Sequence, residues 1–205
     1  MKCSKSQEHA DCFVTKCIHS GRTTFLVFLS SLLALHCVAE TRAIDSDKSV
    51  YGEYQVKAAY LYNFPKFISW PKASFTADKS VFNLCVLGEN PFGDALLAWQ
   101  SKKVNGRQVE IAYKANAHEA LGCHLLYMSP SESEAVDEML RVIEGVAIVT
   151  VSDIKGFAEA GGIIELAINR GRIGFRINQG AALRQHLSIN SSLLDLATAV
   201  IQEEK

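Results

Sequence analysis

The sequence predicts a single α/β domain, with a six-stranded, mainly parallel sheet flanked by helices and an antiparallel hairpin near the C-terminus. Between residues 81 and 152, short apolar runs alternate with helical patterns, as in parallel strands joined by right-handed crossovers. Two alternating runs in residues 163–178 are separated only by Arg170-Gly171, and so short a connection favours a hairpin. Hydrophobic residues make up 48% of the chain and charged residues 21%, which is typical of a globular domain.

The N-terminal segment has the pattern of a secretory signal peptide. Residues 25–39 (FLVFLSSLLALHCVA) form an uncharged apolar run that follows a segment with four basic residues. Because the run ends in small residues, we predict cleavage near Ala39, with Ala43 as a second candidate. The predicted domains are therefore a signal peptide over 1–39 and an α/β domain over 40–205. The run is shorter than the roughly 20 residues of a spanning helix, and an uncleaved membrane anchor is the alternative.

Cleavage changes the charge of the chain. Removing residues 1–39 takes four of the 21 Lys/Arg and two of the 22 Asp/Glu, which leaves 17 and 20 and a net charge of −3. A slightly acidic domain without a basic cluster gives no electrostatic reason to expect a nucleic-acid partner.

The stretch 57–71 (KAAYLYNFPKFISWP) predicts a helix that is apolar on more than one side. A helix with one buried face carries a single apolar stripe, whereas two stripes occur here. The first comprises Tyr54, Ala58, Leu61, Tyr62 and Ile68, and the second Val56, Ala59, Tyr60, Phe64 and Phe67. Two stripes imply two surfaces to pack against. We therefore regard four aromatic residues as a candidate packing or interface helix, namely Tyr60, Phe64, Phe67 and Trp70.

Four apolar runs predict the parallel strands, at 81–88, 106–114, 124–129 and 146–152. The last run is uninterrupted, as expected for a parallel strand covered on both faces. Helices are predicted between the strands, at 92–99, 115–121 and 132–145, the third with Ser131 as its N-cap and Gly145 at its end. A last helix is predicted over 191–203, capped by Asn190 and burying Leu193, Leu196, Ala197 and Val200.

A turn at Arg170-Gly171 fixes the register of the hairpin. One face then pairs Ile164 with Ile177, Leu166 with Phe175, and Ile168 with Ile173. The other face pairs Glu165 with Arg176 and Asn169 with Arg172. An apolar face opposite a charged one supports this register, because a slip of one residue would mix the two faces.

The charged face of the hairpin, formed by Glu165, Arg172 and Arg176, is the best candidate for ligand or partner recognition. Two arginines on one strand face could hold a carboxylate or bind an acidic patch on a partner. The alternative is a solvated salt-bridge face that contributes at most about 1 kcal/mol.

The motifs of common enzyme classes are missing or incomplete. In GENPFGD (88–94), Asp94 stands where a phosphate loop needs lysine, so we interpret this stretch as a tight turn between a strand and a helix. His118, Cys123 and His124 lie close together, but their spacing matches no established zinc pattern. No set of nucleophile, base and orienting residue can be assembled. We therefore expect no catalytic residues, no metal and no cofactor, and predict that the protein is not an enzyme.

Only Cys85 and Cys123 remain after removal of the predicted signal peptide. Two cysteines in an oxidising compartment are a candidate disulfide. The alternative is a pair of buried free thiols.

Three stretches together resemble the YfiR-like periplasmic proteins: YQVKAAYLYNFPKFISWP, CVLGENPFG, and GGIIELAINRGRIGFRINQGAALRQHLSINSSLLDLA. The resemblance covers about residues 52 to 200. It implies a six-stranded sheet flanked by helices, and it implies a disulfide between Cys85 and Cys123. A second disulfide of the family has no counterpart, since no cysteine lies beyond Cys123. Pro65 stands where the family has an ordinary helix former, and we expect the opening helix to kink or end there.

The resemblance also implies a function. The best-known member of the family is a periplasmic repressor that binds the periplasmic domain of a membrane diguanylate cyclase and so lowers cyclic-di-GMP signalling and biofilm formation. An outer-membrane lipoprotein can sequester that repressor, and the family forms homodimers. Two alternatives remain. One is a sensory module that binds a small molecule through Arg172 or Arg176, and the other is a hydrolase or transferase.

Overall fold

The computed structural model describes residues 41–75 and 81–202. The predicted signal peptide over 1–39 lies outside these residues and stays a prediction. The first helix, α1, spans Thr41–Asn63 and is followed by a 3-10 helix at Phe64–Phe67 that contains Pro65. The helix therefore ends two residues before Pro65. This end is expected, because proline lacks the backbone N–H that the interior of a helix needs. Among the helices described, none is both long and apolar enough to cross a membrane.

The unit Ser46–Lys205 contains an eight-stranded sheet and a small two-stranded one. The small sheet pairs β1 (Ile68–Ser69) with β9 (Ser188–Ile189). The strands of the large sheet are β2 (Val81–Leu87), β3 (Lys103–Val104), β4 (Arg107–Lys114), β5 (Leu125–Met128), β6 (Val149–Ser152), β7 (Ile164–Asn169), β8 (Arg172–Asn178) and β10 (Ala199–Ile201). Their order across the sheet is β10-β8-β7-β6-β5-β2-β4-β3.

The α/β class is confirmed, but the prediction of a six-stranded, mainly parallel sheet is wrong. The sheet is mixed. Five strands, β4, β2, β5, β6 and β7, run parallel to one another. β3 pairs antiparallel with β4, β8 pairs antiparallel with β7, and β10 pairs parallel with β8. The six predicted strands are all present, and the two additional strands lie at the edges. β3 is two residues long, too short to show a pattern, and β10 lies inside the segment predicted as the last helix.

The predicted helices are shorter than expected. The segment 92–99 contains turns and a 3-10 helix at Leu97–Trp99, and 115–121 contains a 3-10 helix at His118–Gly122. The segment 132–145 begins with a 3-10 helix at Pro130–Ala135 and continues as α2 (Val136–Val142). Ser131 is therefore not the N-cap of α2; its Oγ accepts a hydrogen bond of 3.0 Å from the N–H of Glu89 instead. The helix α2 also ends three residues before Gly145.

The C-terminal segment differs most from expectation. A short helix, α3 (Gln179–Arg184), follows the hairpin, and α4 covers only Ser191–Leu196. Asn190 does cap α4, through a hydrogen bond from the N–H of Ser192 to its side chain. Of the predicted stripe, Leu193 is buried and Leu196 is 66% exposed. Val200 lies in β10, which pairs with β8.

The two faces of the large sheet carry separate cores. One core contains Leu84, Tyr127 and Phe175 and is covered by α1. The other contains Leu87, Met128 and Phe157 and is covered by α2. This division follows the alternation of side chains along each strand. The hairpin has the predicted register, from Ile164 opposite Ile177 to Asn169 opposite Arg172.

Candidate functional site

Glu165, the predicted carboxylate of the hairpin face, is buried. It is 4% exposed, and its Oε1 lies 3.7 Å from Nη1 of Arg176, its cross-strand partner. Its Oε2 accepts a hydrogen bond of 3.0 Å from the N–H of Ala158. A carboxylate is rarely buried unless it is paired, and here it holds the chain after β6 against the hairpin.

Arg176 lies between two carboxylates. In addition to Glu165, its Nη2 donates a hydrogen bond to Oε1 of Glu159. This bond holds the pKa of Glu159 below its usual value and raises the pKa of Arg176. Since Glu159 is exposed, the pair is screened by solvent and adds little to stability. The charge of Arg176 is therefore balanced within the protein.

Arg172 lies at the other end of β8, in a different environment. It is exposed and faces Asn169 across the hairpin. A groove of about 560 Å³ begins here, lined by Asn169, Arg170, Arg172, Ile173, Gly174 and Thr198. Four residues along a strand span roughly 13 Å, so Arg172 and Arg176 are too far apart to hold one carboxylate together. The structure therefore divides the predicted site into an ion-pair cluster around the buried Glu165 and an exposed groove.

The four aromatic residues of the opening segment divide in a similar way. Phe64 is 1% exposed and contacts Phe175 edge-to-face, with ring centroids 5.1 Å apart. Tyr60 is half-buried and stacks on Phe64 at 5.5 Å. Trp70 packs on Phe82 at 5.4 Å, whereas Phe67 is 36% exposed. Phe64 thus belongs to the core, and Phe67 is the member of the set that lies at the surface.

A buried polar cluster on α1 was not found from the sequence. Lys57 is 3% exposed and donates hydrogen bonds to Glu53 on the same helix and to Asp153, which follows β6. Asp153 also accepts hydrogen bonds from the hydroxyls of Tyr54 and Tyr127. One feature of the sequence indicates this cluster: Lys57 lies within the apolar stripe of α1, three residues after Tyr54 and four before Leu61. A lysine at such a position needs a buried partner.

This cluster shifts the pKa of Lys57 and of the two tyrosines, Tyr54 and Tyr127. Burial by itself lowers the pKa of Lys57, but the hydrogen bonds to Asp153 and Glu53 outweigh it, and the pKa is raised. Burial and then the charge of Asp153 raise the pKa of Tyr54 and Tyr127. Lysine stays charged and both tyrosines stay neutral at physiological pH. The cluster therefore fastens α1 to the carboxyl ends of β5 and β6.

Of the three residues considered for a metal site, Cys123 and His124 have structural roles, and His118 is exposed. Cys123 forms a disulfide with Cys85, with Cα atoms 6.0 Å apart. His124 accepts a hydrogen bond at Nδ1 from the N–H of Asn83, and its Nε2 lies 3.1 Å from the carbonyl oxygen of Ser74. Within residues 41–75 and 81–202, no group of three or more His, Cys, Asp or Glu side chains is arranged to hold a metal ion.

Two solved structures are similar to the chain at low identity. The first is a conserved domain protein from Vibrio cholerae O1 biovar El Tor, with 11% identity and a TM-score of 0.46, covering 72% of this chain and 60% of that one. The second is an ABC domain in complex with L-Trp from Streptococcus pneumoniae, with 12% identity and a TM-score of 0.44, covering 58% of this chain and 55% of that one. The chain thus spans less than two thirds of each. No curated protein matches it.

A family model described as DUF4154, YfiR/HmsC-like, matches residues 54–198. The match begins at Tyr54, in the polar cluster of α1, and ends at Thr198, in the wall of the groove beside the hairpin. It covers the disulfide and seven of the eight strands of the large sheet in full. The chain belongs to the YfiR/HmsC-like family.

Proposed function

We propose that this protein is a periplasmic, non-enzymatic regulator that binds the periplasmic domain of a membrane diguanylate cyclase and keeps the cyclase inactive. Cyclic-di-GMP signalling falls as a result. The observation that carries the proposal is the family match over residues 54–198, since the best-known YfiR-like protein is a repressor of this kind. The proposal includes a homodimer and release of the cyclase when an outer-membrane lipoprotein sequesters the regulator.

Two features of the chain support a periplasmic location. The segment 25–39 has the composition of a signal peptide, and Cys85 and Cys123 form a disulfide inside the domain. Structural disulfides form and persist in oxidising compartments such as the periplasm and are rare in the cytosol.

Deletion of the gene tests this function. We expect the cellular cyclic-di-GMP level to rise on deletion and to return when the wild-type gene is supplied. A matched complementation with Cys85→Ala/Cys123→Ala asks whether the regulator needs its disulfide in the cell. The test is made under conditions where the wild-type strain produces the protein. An unchanged cyclic-di-GMP level in the deletion strain under those conditions contradicts the proposed function.

The groove beside the hairpin favours a second candidate function, a sensory module that binds a small carboxylate. Arg170 and Arg172 both line this groove of about 560 Å³, and guanidinium groups bind carboxylates through two parallel hydrogen bonds. A ligand of the native state raises the melting temperature. We therefore expect a shift in Tm with one of a panel of carboxylates and its loss in Arg172→Ala. No shift with any member of the panel contradicts this second function.

A further inference from the structure

The tip of the β7–β8 hairpin carries an exposed apolar surface. Ile168 is 55% exposed and lies directly opposite Ile173, which is half-buried. Both side chains lie on the sheet face that α1 covers, because they alternate in the same phase as Phe175, which contacts Phe64 on that face. At this end of the hairpin, the cover is incomplete.

This apolar surface continues onto α1. The hydroxyl of Tyr60 donates a hydrogen bond of 3.0 Å to the carbonyl oxygen of Ile173. Val56 precedes Tyr60 by one helical turn, on the same side of α1, and is 48% exposed. Single exposed apolar residues are common, but a contiguous group marks an interaction surface more often. We call Val56, Tyr60, Ile168 and Ile173 the hairpin-tip patch.

Two arginines border the hairpin-tip patch: Arg170 lies in the turn, and Arg172 projects from the opposite face of β8 but lines the same groove as Ile173. Arg170 and Arg172 are exposed, and among the residues of the described chain neither forms an ion pair. The carboxylates of this hairpin region, Glu159 and Glu165, are engaged by Arg176. The predicted mature chain is acidic overall, so the tip is locally positive on a negative molecule.

The backbone at Arg170 is unusual for an arginine. Its φ is 51° and that of Gly171 is 73°, which are the positive values of a type I′ turn. Asparagine, aspartate and glycine favour this conformation, whereas the Cβ of other residues is crowded there. Such outliers cluster at functional sites. An arginine at this position therefore costs stability and supplies a charge at the tip.

We propose that the hairpin-tip patch is the docking surface for the cyclase, and that it binds a segment of the periplasmic domain that presents an apolar side chain flanked by carboxylates. The apolar side chain packs on Ile168 and Ile173, and the carboxylates pair with Arg170 and Arg172. This inference rests on the proposed function. A second copy of this chain is a poor occupant, because two tips in contact bring four arginines together at a cost in like-charge repulsion.

Complementation of the deletion strain with surface variants tests the docking surface. Arg172→Glu reverses a charge at the tip, and Ile168→Asp removes the apolar contact. The matched controls are Lys102→Glu, next to β3 at the opposite edge of the sheet, and Leu183→Asp, a 59% exposed leucine of α3. We expect the wild type and both controls to restore the low cyclic-di-GMP level. The two tip variants should leave the level high, since reversal of a charge in such a contact weakens binding roughly tenfold or more.

Arg170→Asn separates docking from folding. Asparagine tolerates the left-handed conformation of this turn, so Tm should rise while repression is lost. If a variant that is more stable than the wild type loses repression, unfolding is not the cause of the loss. The docking proposal is overturned if all three tip variants restore repression as well as the controls do. If the wild type itself fails to lower cyclic-di-GMP, the proposed function fails and the docking proposal fails with it.

Discussion

Lys57 on α1 donates a hydrogen bond to the carboxylate of Asp153, a residue 96 positions later in the chain. The side chains are 4% and 9% exposed. The pair joins the helix that opens the domain to the point where β6 ends. It therefore fixes the position of α1, and with it the surface that Val56 and Tyr60 present beside the hairpin.

Loss of the ammonium group at position 57 should destabilise the domain. Lys57→Met leaves the carboxylate of Asp153 buried without its cation, and removal of one partner of a buried ion pair costs about 3–5 kcal/mol. Urea unfolding measures the change in the free energy of unfolding. The matched control is Lys72→Met at an exposed position, where we expect a change within about 0.5 kcal/mol. Equal effects of the two substitutions would show that the buried pair has no special role.

The same cluster predicts a loss of stability at alkaline pH. The pKa of Tyr54 and of Tyr127 is raised above the ordinary tyrosine value of 10.0. Between that value and the higher folded pKa, the unfolded chain has released these protons while the folded chain keeps them. The unfolded state thus binds fewer protons, and stability falls as pH rises above about 10. The raised pKa of Lys57 acts in the same direction.

Melting curves across the alkaline range measure this effect. Tyr127→Phe should flatten the fall of Tm with pH, because it removes one of the three groups whose pKa is raised. Tyr113→Phe, at a 49% exposed position, should leave the slope as in the wild type. A slope that is the same in all three proteins contradicts the assignment.

The disulfide should make a large contribution to stability. Cys85 and Cys123 are 38 residues apart in sequence, and closing a loop of this length stabilises the folded state by about 4 kcal/mol in the chain-entropy account. Cys85→Ala/Cys123→Ala, or reduction of the wild type, should therefore lower the free energy of unfolding by about 4 kcal/mol. This loss appears as a lower urea midpoint. An unchanged midpoint after complete reduction would contradict a structural role for the bridge.

Substitution of Phe64, which is buried, can be compared with substitution of Phe67, which is exposed, to test the division of the aromatic segment into core and surface. Phe64→Ala opens a cavity against Phe175 and should cost about 3–5 kcal/mol. Phe67 is 36% exposed, and its replacement should cost much less. Chemical unfolding and size-exclusion chromatography separate the two roles: a change in oligomer size with Phe67→Ala and unaltered stability would assign Phe67 to a subunit interface. Equal losses of stability would contradict the division of the segment into core and surface.

The parts of the fold that could be predicted from sequence are those encoded locally. A two-residue connection fixes the register of the β7–β8 hairpin, so the pairing of Ile164 with Ile177 follows from the turn. Strand β10 was missed because its conformation depends on pairing with β8. The leucine and alanine pattern before it is compatible with a helix, and tertiary pairing overrides that preference.

The candidate site was predictable in the same partial way. The cross-strand contact of Glu165 with Arg176 follows from the register, but their other partners, Ala158 and Glu159, belong to another segment. For Lys57, periodicity places the residue on a buried stripe, yet a single sequence does not show that Asp153 and Tyr127 lie beside it. Contacts between distant segments are the information that periodicity does not contain.

The most direct test of the central claim is a measurement of cyclase activity in detergent-solubilised membranes, where the periplasmic domains are accessible to added protein. Membranes from the deletion strain are supplied with GTP, and the rate of cyclic-di-GMP synthesis is followed as the purified protein, residues 40–205, is added. We predict that the rate falls and saturates with protein concentration, and that Lys102→Glu inhibits like the wild type. A rate that does not change at any concentration of the folded wild-type domain would contradict the proposed function.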